Sequence, residues 1–243
     1  MMEQPVRRLM AWYFAAYFAV AVGQFCFFAF FRSFEWGFFL AALLWIAGLL
    51  WIADRLPERK AWWMLTAAGL LFKMLWIVFV LTPAVSDYKL MYNTAREIVE
   101  GSRAYLDNIY FRRFPYQLGF TAYQALVLSV VDSIGVLKLL NALWGAVTSL
   151  CVYGIAREAF SRKVAVAAML LHITLLPLLL MSSVLTNQHI GVALLYVGIY
   201  VWIKQGGTWP GAAAAGAILA LGNVMRPIGI VVVAAVVVNA GMH

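Results

Sequence analysis

Apolar runs of about membrane-spanning length recur along almost the whole chain. A transmembrane helix needs about 20 mainly apolar residues, because the bilayer core is about 30 Å thick and offers backbone groups no hydrogen-bond partner. Of the 243 residues, 65% are hydrophobic and 12% are charged, which excludes a soluble enzyme, a disordered chain and a secreted disulfide scaffold. The sequence therefore predicts an all-α, polytopic membrane helical bundle with about eight transmembrane helices. The predicted spans are 9–31, 34–53, 61–81, 136–156, 164–181, 190–203, 211–223 and 228–239.

Lysine and arginine near the ends of the runs predict the orientation of the chain, because cytoplasmic loops carry an excess of these residues. Arg7 and Arg8 precede the first run, so we expect a cytoplasmic N-terminus. The first run lacks a small-residue cleavage site, which favours an anchor over a signal peptide. We therefore expect two N-terminal transmembrane helices within residues 1–60, followed by a module over 61–243 that carries an external loop at 83–135.

The uncharged segment 114–131 would form about 27 Å of helix, which is barely enough to span the membrane. Its polar residues Gln117, Thr121 and Gln124 recur at helical spacing on one face, which is typical of a helix at the membrane interface. If this segment spanned, the basic loop 157–163 would be external, against the usual distribution of such residues. We therefore predict two external juxtamembrane helices, of which this segment is the second.

The first of these two helices is predicted directly after the third run, where the sequence reads Asp87-Tyr88-Lys89. Apolar residues recur at helical spacing from Tyr88 to Val99, and Gly101 predicts the end of the helix. Asp87 falls in or just before the first turn, where unpaired backbone N–H groups and the helix dipole favour a carboxylate. That carboxylate can cap the helix or take a proton from an acceptor hydroxyl, and the sequence allows both roles. Tyr88 and Lys89 beside it are candidate substrate-binding residues.

Several other charged residues lie in or beside apolar sequence. Arg226 separates two apolar segments, where its guanidinium can bind a phosphate bidentately or snorkel to the interface. Arg112 and Arg113 stand among aromatic residues and can bind a lipid phosphate, a sugar or lipid headgroups. Lys73 lies well inside the third run and should face the bundle interior or snorkel. No cluster specifies a divalent metal, since Asp87 has no obvious carboxylate partner outside its own loop, and the sequence firmly implies no cofactor.

These features together resemble the GT-C superfamily of polyprenyl-phosphate-dependent glycosyltransferases. The chain is most similar to bacterial relatives of the protein O-mannosyltransferases and the lipid A aminoarabinose transferases. The shared order is a transmembrane helix, an Asp-bearing external loop, two juxtamembrane helices and further spans, over residues 61–243. The residues that carry the resemblance are Ser86-Asp87-Tyr88, Tyr92, Ala95, Gly101, Phe114-Pro115-Tyr116-Gln117, the basic loop from Arg157 to Lys163, and the apolar helix ending near Pro177.

The resemblance implies a role for each external loop. Asp87 stands at the position of the catalytic aspartate, the general base for the acceptor, and Arg226 at that of a basic residue near the lipid-linked phosphate. The loop 182–189 often holds a second acidic residue in this superfamily, and the absence of a carboxylate there puts metal coordination in doubt. Asn187 and His189 can donate hydrogen bonds to a phosphate or a sugar, although a lone histidine at a helix end is more often structural.

The implied activity is transfer of a sugar, with inversion, from a polyprenyl-phosphate donor to a glycan, lipid or protein acceptor. The implied location is the outer face of a bacterial cytoplasmic membrane, with no nucleic-acid partner.

A transporter or flippase-like protein is the alternative, with Lys73, His172 and Arg226 along a substrate path, because broken helices are typical of transporter sites. Against it, the charges do not align on several spans and no inverted repeat is evident. A membrane assembly protein without an active site is a third interpretation, and the chain is either a fragment of a longer protein or a compact member.

Overall fold

The computed structural model of the chain describes residues 36–56, residues 60–229 and four isolated positions beyond them, 231, 234, 235 and 237. These described residues form helices and no strands, so the predicted all-α class is confirmed. The predicted span 9–31 and most of 228–239 lie outside the described residues. The helices of the described part are α1 (Trp36–Arg55), α2 (Ala61–Phe79), α3 (Ser86–Val99), a 3-10 helix (Ala104–Leu106), α4 (Ile109–Arg113), α5 (Gln117–Val130), α6 (Ile134–Ala159), α7 (Arg162–Thr174), α8 (Leu176–Ser182), α9 (Gln188–Gln205) and α10 (Trp209–Met225).

Two of these helices are long and apolar enough to cross a membrane by themselves. They are α2 and α6, and α7 with α8 adds a third crossing if the two count as one bent span. The shorter α10 is also apolar, and large hydrophobic side chains remain exposed along several helices. Because lipid is the medium in which such surfaces are stable, the chain is an integral membrane protein. Of the eight predicted crossings, the described residues therefore supply two or three.

The predicted span 164–181 is not one continuous helix. It breaks at Leu175, whose backbone is extended, and α7 and α8 on either side of the break are bent by 50°. Pro177 lies in the first turn of α8 and has no N–H, so it cannot make the backbone hydrogen bond that would continue α7. The predicted span runs past Pro177 to residue 181, and the break caused by this proline was missed.

The central helix of the bundle is α6, which packs against α2, α7 and α9, while α9 packs against α10. Small residues let these helices approach closely. Gly145 of α6 leaves room for the Lys73 side chain of α2, which is only 2% exposed and takes the interior one of its two predicted positions. Gly198 of α9 lies so close to α10 that a Cβ there would come within 2.6 Å of Leu219 Cγ.

The two predicted juxtamembrane helices pack against each other as α3 and α5. The amphipathic pattern of α3 is largely confirmed, since Met91 and Ala95 are buried, but Val99 is exposed. Gly101 follows the helix with φ +86°, a left-handed conformation that other residues rarely adopt, and so ends it.

The polar face of α5 points into the protein rather than toward water. Thr121 and Gln124 are fully buried, whereas Leu126 is 68% exposed and Val130 79% exposed on the opposite face. This arrangement is the reverse of a water-facing surface helix and suits a helix whose outer side contacts apolar surroundings. With 14 residues, about 21 Å of helix, α5 is also too short to cross the bilayer core.

The first two turns of α6 hold two loops together. Lys138 Nζ donates to the carbonyl of Thr82 at 2.6 Å, and Asn141 Nδ2 donates to the carbonyl of Val184 at 2.8 Å. The hydroxyls of Thr82 and Ser183 share a hydrogen bond of 2.8 Å. Because Lys138 and Asn141 are both buried, these bonds strongly favour one arrangement of the loop before α3 and the loop before α9.

Candidate functional site

Three loop regions that the sequence analysis predicted to be external line one cavity of about 520 Å³. They are the start of α3, the loop before α9 and the turn after α10, with the start of α5 as a fourth side. A volume of this size falls within the roughly 300–1,000 Å³ that is usual for small-ligand sites. The lining residues are Ser86, Asp87, Tyr88, Met91, Tyr116, Gln117, Thr186, Asn187, Gln188, Arg226, Pro227 and Ile228.

Asp87 lies in the first turn of α3 with its carboxylate exposed at the cavity. Among the described residues, this carboxylate accepts a hydrogen bond of 3.4 Å from the Ser86 hydroxyl and none from a backbone N–H group, so it does not cap α3. Ser86 itself has φ +49°, an uncommon conformation for a residue with a side chain. Such backbone outliers concentrate at functional sites, where the surrounding structure holds them in place.

Tyr110 extends from α4 toward Asp87. Asn108 caps this short helix by accepting a hydrogen bond of 2.9 Å from the Tyr110 backbone N–H. The Tyr110 hydroxyl is buried beside Asp87 and Gln117, without a well-aligned hydrogen bond to either. Burial, and next the negative charge of Asp87, raise the pKa of Tyr110 to about 12, so the hydroxyl stays protonated at neutral pH and can donate.

A chain of side-chain hydrogen bonds connects Arg226 to the start of α5. Arg226 is the C-terminal cap of α10, and its Nη1 donates to Asn187 Oδ1 at 3.2 Å. Asn187 Nδ2 donates in turn to the Met225 carbonyl at 3.0 Å and to Gln117 Oε1 at 3.3 Å. Gly191 permits this approach of α10 to α9, since a Cβ there would lie 2.8 Å from Arg226 Cβ.

The structure thus brings four predicted site residues to one cavity: Asp87, Tyr88, Asn187 and Arg226. Tyr110 is a further site residue that the sequence did not indicate. Only the Asn108 cap two positions earlier could have indicated how Tyr110 is held.

Three predicted basic site residues do not line this cavity. Lys89 is exposed on α3 and points elsewhere. Arg112 forms an exposed ion pair with Asp107 at 2.9 Å, and Arg113 lies over the ring of Phe114 at 5.8 Å from its centroid. An exposed ion pair of this kind is worth at most about 1 kcal/mol, so Arg112 is not firmly held away from other partners.

His189 also lies away from the cavity, because two residues along a helix turn a side chain by about 200° relative to Asn187. It is buried and hydrogen-bonds to the Met181 backbone. Its neighbours in the interior include Lys73 and His172. His172 Nδ1 and Ser149 Oγ are 2.9 Å apart, so His172 has a hydrogen-bond partner inside the bundle.

The described residues bring no three His, Cys, Asp or Glu side chains close enough together to hold a metal ion.

Membrane-crossing helices with a polar, charged cavity at their ends define an integral membrane protein with a candidate active site. Comparison with known proteins identifies its kind: the family model described as dolichyl-phosphate-mannose-protein mannosyltransferase matches residues 118–241, about half of the chain. The chain belongs to this family and is a membrane glycosyltransferase, in agreement with the GT-C resemblance. No curated protein and no solved structure matches the chain. The matched segment includes Asn187 and Arg226 and begins after Asp87.

Proposed function

We propose that the chain transfers a sugar from a polyprenyl-phosphate donor to an acceptor hydroxyl at the outer face of the membrane. The observation that carries this proposal is one cavity lined by both Asp87 and Arg226. A lipid-phosphate sugar donor leaves a phosphate behind, which a guanidinium stabilises, and a hydroxyl acceptor needs a base. The family match supports the lipid-linked donor and favours a transferase over a transporter.

Arg226 is the proposed contact for the donor phosphate. Asn187 accepts a hydrogen bond from one N–H group of Arg226, which restricts the guanidinium. The other N–H groups of Arg226 are then available for phosphate oxygens. As the bond between the anomeric carbon and the phosphate oxygen breaks, negative charge grows on the phosphate. A cation already in place stabilises that charge without reorganisation.

Asp87 is the proposed general base. In a single displacement, the acceptor oxygen forms its bond to the anomeric carbon, its proton passes to Asp87, and polyprenyl phosphate leaves from the opposite face. The configuration at the anomeric carbon is therefore inverted. The protonated Tyr110 hydroxyl beside Asp87 is the proposed donor that keeps the carboxylate oriented toward the acceptor.

The proposed topology has about eight transmembrane helices, a cytoplasmic N-terminus and the cavity on the outer side. It rests on the positive residues near the helix ends and on α5, which is too short to add a crossing. With this topology the acceptor is a glycan, a lipid or a protein segment outside the membrane.

The test uses the purified protein in nanodiscs with a panel of polyprenyl-phosphate sugars, and it measures the release of polyprenyl phosphate. Asp87→Asn should lower turnover by about 100-fold or more, the usual range for loss of a general base. Asp132→Asn is the matched control, because Asp132 is exposed, pairs with Arg96 at 3.3 Å and does not line the cavity. NMR of the product should show inversion.

Equal turnover of Asp87→Asn and Asp132→Asn would remove Asp87 from the mechanism, and retention of configuration would exclude single displacement. Net flux of lipid across proteoliposomes with no release of polyprenyl phosphate would favour the transporter instead.

A further inference from the structure

A second cavity, of about 600 Å³, lies at the other end of the bundle. Lys138, near the start of α6, contacts the loops of the first cavity, whereas the last turns of α6 line the second. The 26 residues of α6 span about 39 Å, so the two cavities lie at opposite ends of this helix. The residues that give the second cavity its chemical character are Trp62, Tyr153, Arg157, Glu158, Arg162 and Tyr200.

The charges of this second cavity are predominantly positive. Arg157 is exposed, and its Nη1 donates to the Tyr153 hydroxyl at 3.1 Å. Arg162 begins α7 and donates to the Leu56 carbonyl at 3.0 Å. The one carboxylate among the lining residues, Glu158, is paired with Lys204 at 2.7 Å. The exposed guanidinium of Arg157 therefore faces a cavity whose acidic residue is already paired with a lysine.

Aromatic rings and a helix terminus complete the second cavity. Gly154 brings the α6 backbone against the ring of Tyr200, where a Cβ would lie 2.6 Å from a ring carbon. The 13-residue α7 starts at the cavity with Ser161 as its cap, and the positive end of its dipole adds to the charge of Arg157. Trp62 stands in the first turn of α2, a position at which aromatic residues meet the headgroup layer.

We propose that this second cavity binds the phosphate of an anionic lipid headgroup. It opens at the end of membrane-crossing helices, where headgroups lie, and basic pockets between such helices are a usual setting for anionic headgroups. Its volume suits a headgroup, and the exposed Arg157 guanidinium offers N–H donors to phosphate oxygens. The site is separate from the proposed catalytic cavity, since the two share no lining residue.

The test is native mass spectrometry of the protein released from nanodiscs of phosphatidylcholine that contain increasing fractions of phosphatidylglycerol. The wild type should retain phosphatidylglycerol in preference to phosphatidylcholine. Arg157→Gln should weaken that retention about fivefold, as expected for loss of one positive charge near the membrane surface. Lys163→Gln is the matched control: it removes the same charge one residue after Arg162, but Lys163 pairs with Asp54 and does not line the cavity.

Equal retention by Arg157→Gln and wild type would overturn the proposal, and so would equal losses in Arg157→Gln and Lys163→Gln, which indicate general surface charge. A further arm adds inorganic phosphate. If millimolar phosphate leaves phosphatidylglycerol bound, the phosphate that the cavity binds is that of a lipid. If it displaces phosphatidylglycerol, the cavity binds phosphate, but its source is a soluble one. Neither result depends on sugar transfer, so failure here and failure of the proposed function are distinguishable.

Discussion

Replacing Asn187 by alanine should weaken the binding of a polyprenyl-phosphate sugar far more than it slows the chemical step. Asn187 is buried and joins three partners: it accepts from Arg226 and donates to the Met225 carbonyl and to Gln117. Alanine removes all three hydrogen bonds. The change does not touch Asp87, so the proposed base remains.

The size of the effect follows from the freedom that Arg226 regains. A fixed arginine side chain has lost rotamer freedom worth up to about 2 kcal/mol. Without Asn187, that restriction must be imposed when the phosphate binds. The dissociation constant of the donor should therefore rise by about tenfold to thirtyfold. Asn187→Asp should do no better, because it keeps the contact to Arg226 but loses both donated bonds and places a negative charge beside the phosphate.

The assay is equilibrium binding of a radiolabelled polyprenyl-phosphate sugar to the protein in nanodiscs, followed by single-turnover transfer at saturating donor. Asn93→Ala is the control, because this asparagine is exposed on α3 and does not line the cavity. A dissociation constant for Asn187→Ala within twofold of the wild type would refute the role of Asn187 in positioning Arg226. A large loss in single turnover without a loss of binding would refute it equally.

Three further predictions concern single substitutions. Tyr110→Phe should lower turnover by about fivefold, which is the value of one hydrogen bond. The factor should be the same at every pH from 6 to 9, because the raised pKa of Tyr110 keeps its hydroxyl protonated throughout. A loss of turnover that varies with pH would contradict this prediction. Gly101→Ala should lower the unfolding free energy by about 1 kcal/mol because Gly101 has a positive φ, whereas Gly216→Ala inside α10 should raise the unfolding free energy by about 0.5–1 kcal/mol. Neither added Cβ meets another atom, so backbone conformation alone decides both signs. Thermal unfolding in detergent would compare the two variants, and equal shifts would contradict this prediction. Gly119→Ala would drive a Cβ into the backbone at the end of α10, so it should weaken donor binding through Arg226 more than it lowers helix content, as binding and circular dichroism would show.

Charge in an apolar chain is the signal that sequence reasoning used best. Asp87 and Arg226 were recognisable because each interrupts or adjoins a run in which a charge is unfavourable. The same argument left Lys73 either in the interior or snorkelling, and the structure has it in the interior.

The parts that sequence reasoning missed depend on which face of a helix meets which neighbour. Gln124 has the polarity of a surface residue, yet α5 buries it completely, because the apolar side of this helix is the exposed one. His189 and Asn187 are neighbours in the chain but point to opposite sides of α9. Tyr110 reaches the cavity only because α4 is capped and turned toward α3. These placements follow from tertiary packing, which hydropathy and spacing do not encode.

The hydrogen bonds from Arg226 through Asn187 to Gln117 all run in one direction. Each oxygen accepts from the side on which Arg226 lies, so the NH2 group of Gln117 is left to donate on the side away from Arg226. The amides therefore have one favourable orientation, and a change at either end is transmitted as a change in polarisation. In the proposed mechanism, a donor phosphate bound at Arg226 would therefore alter the strength of the hydrogen bonds as far as Gln117 at the start of α5.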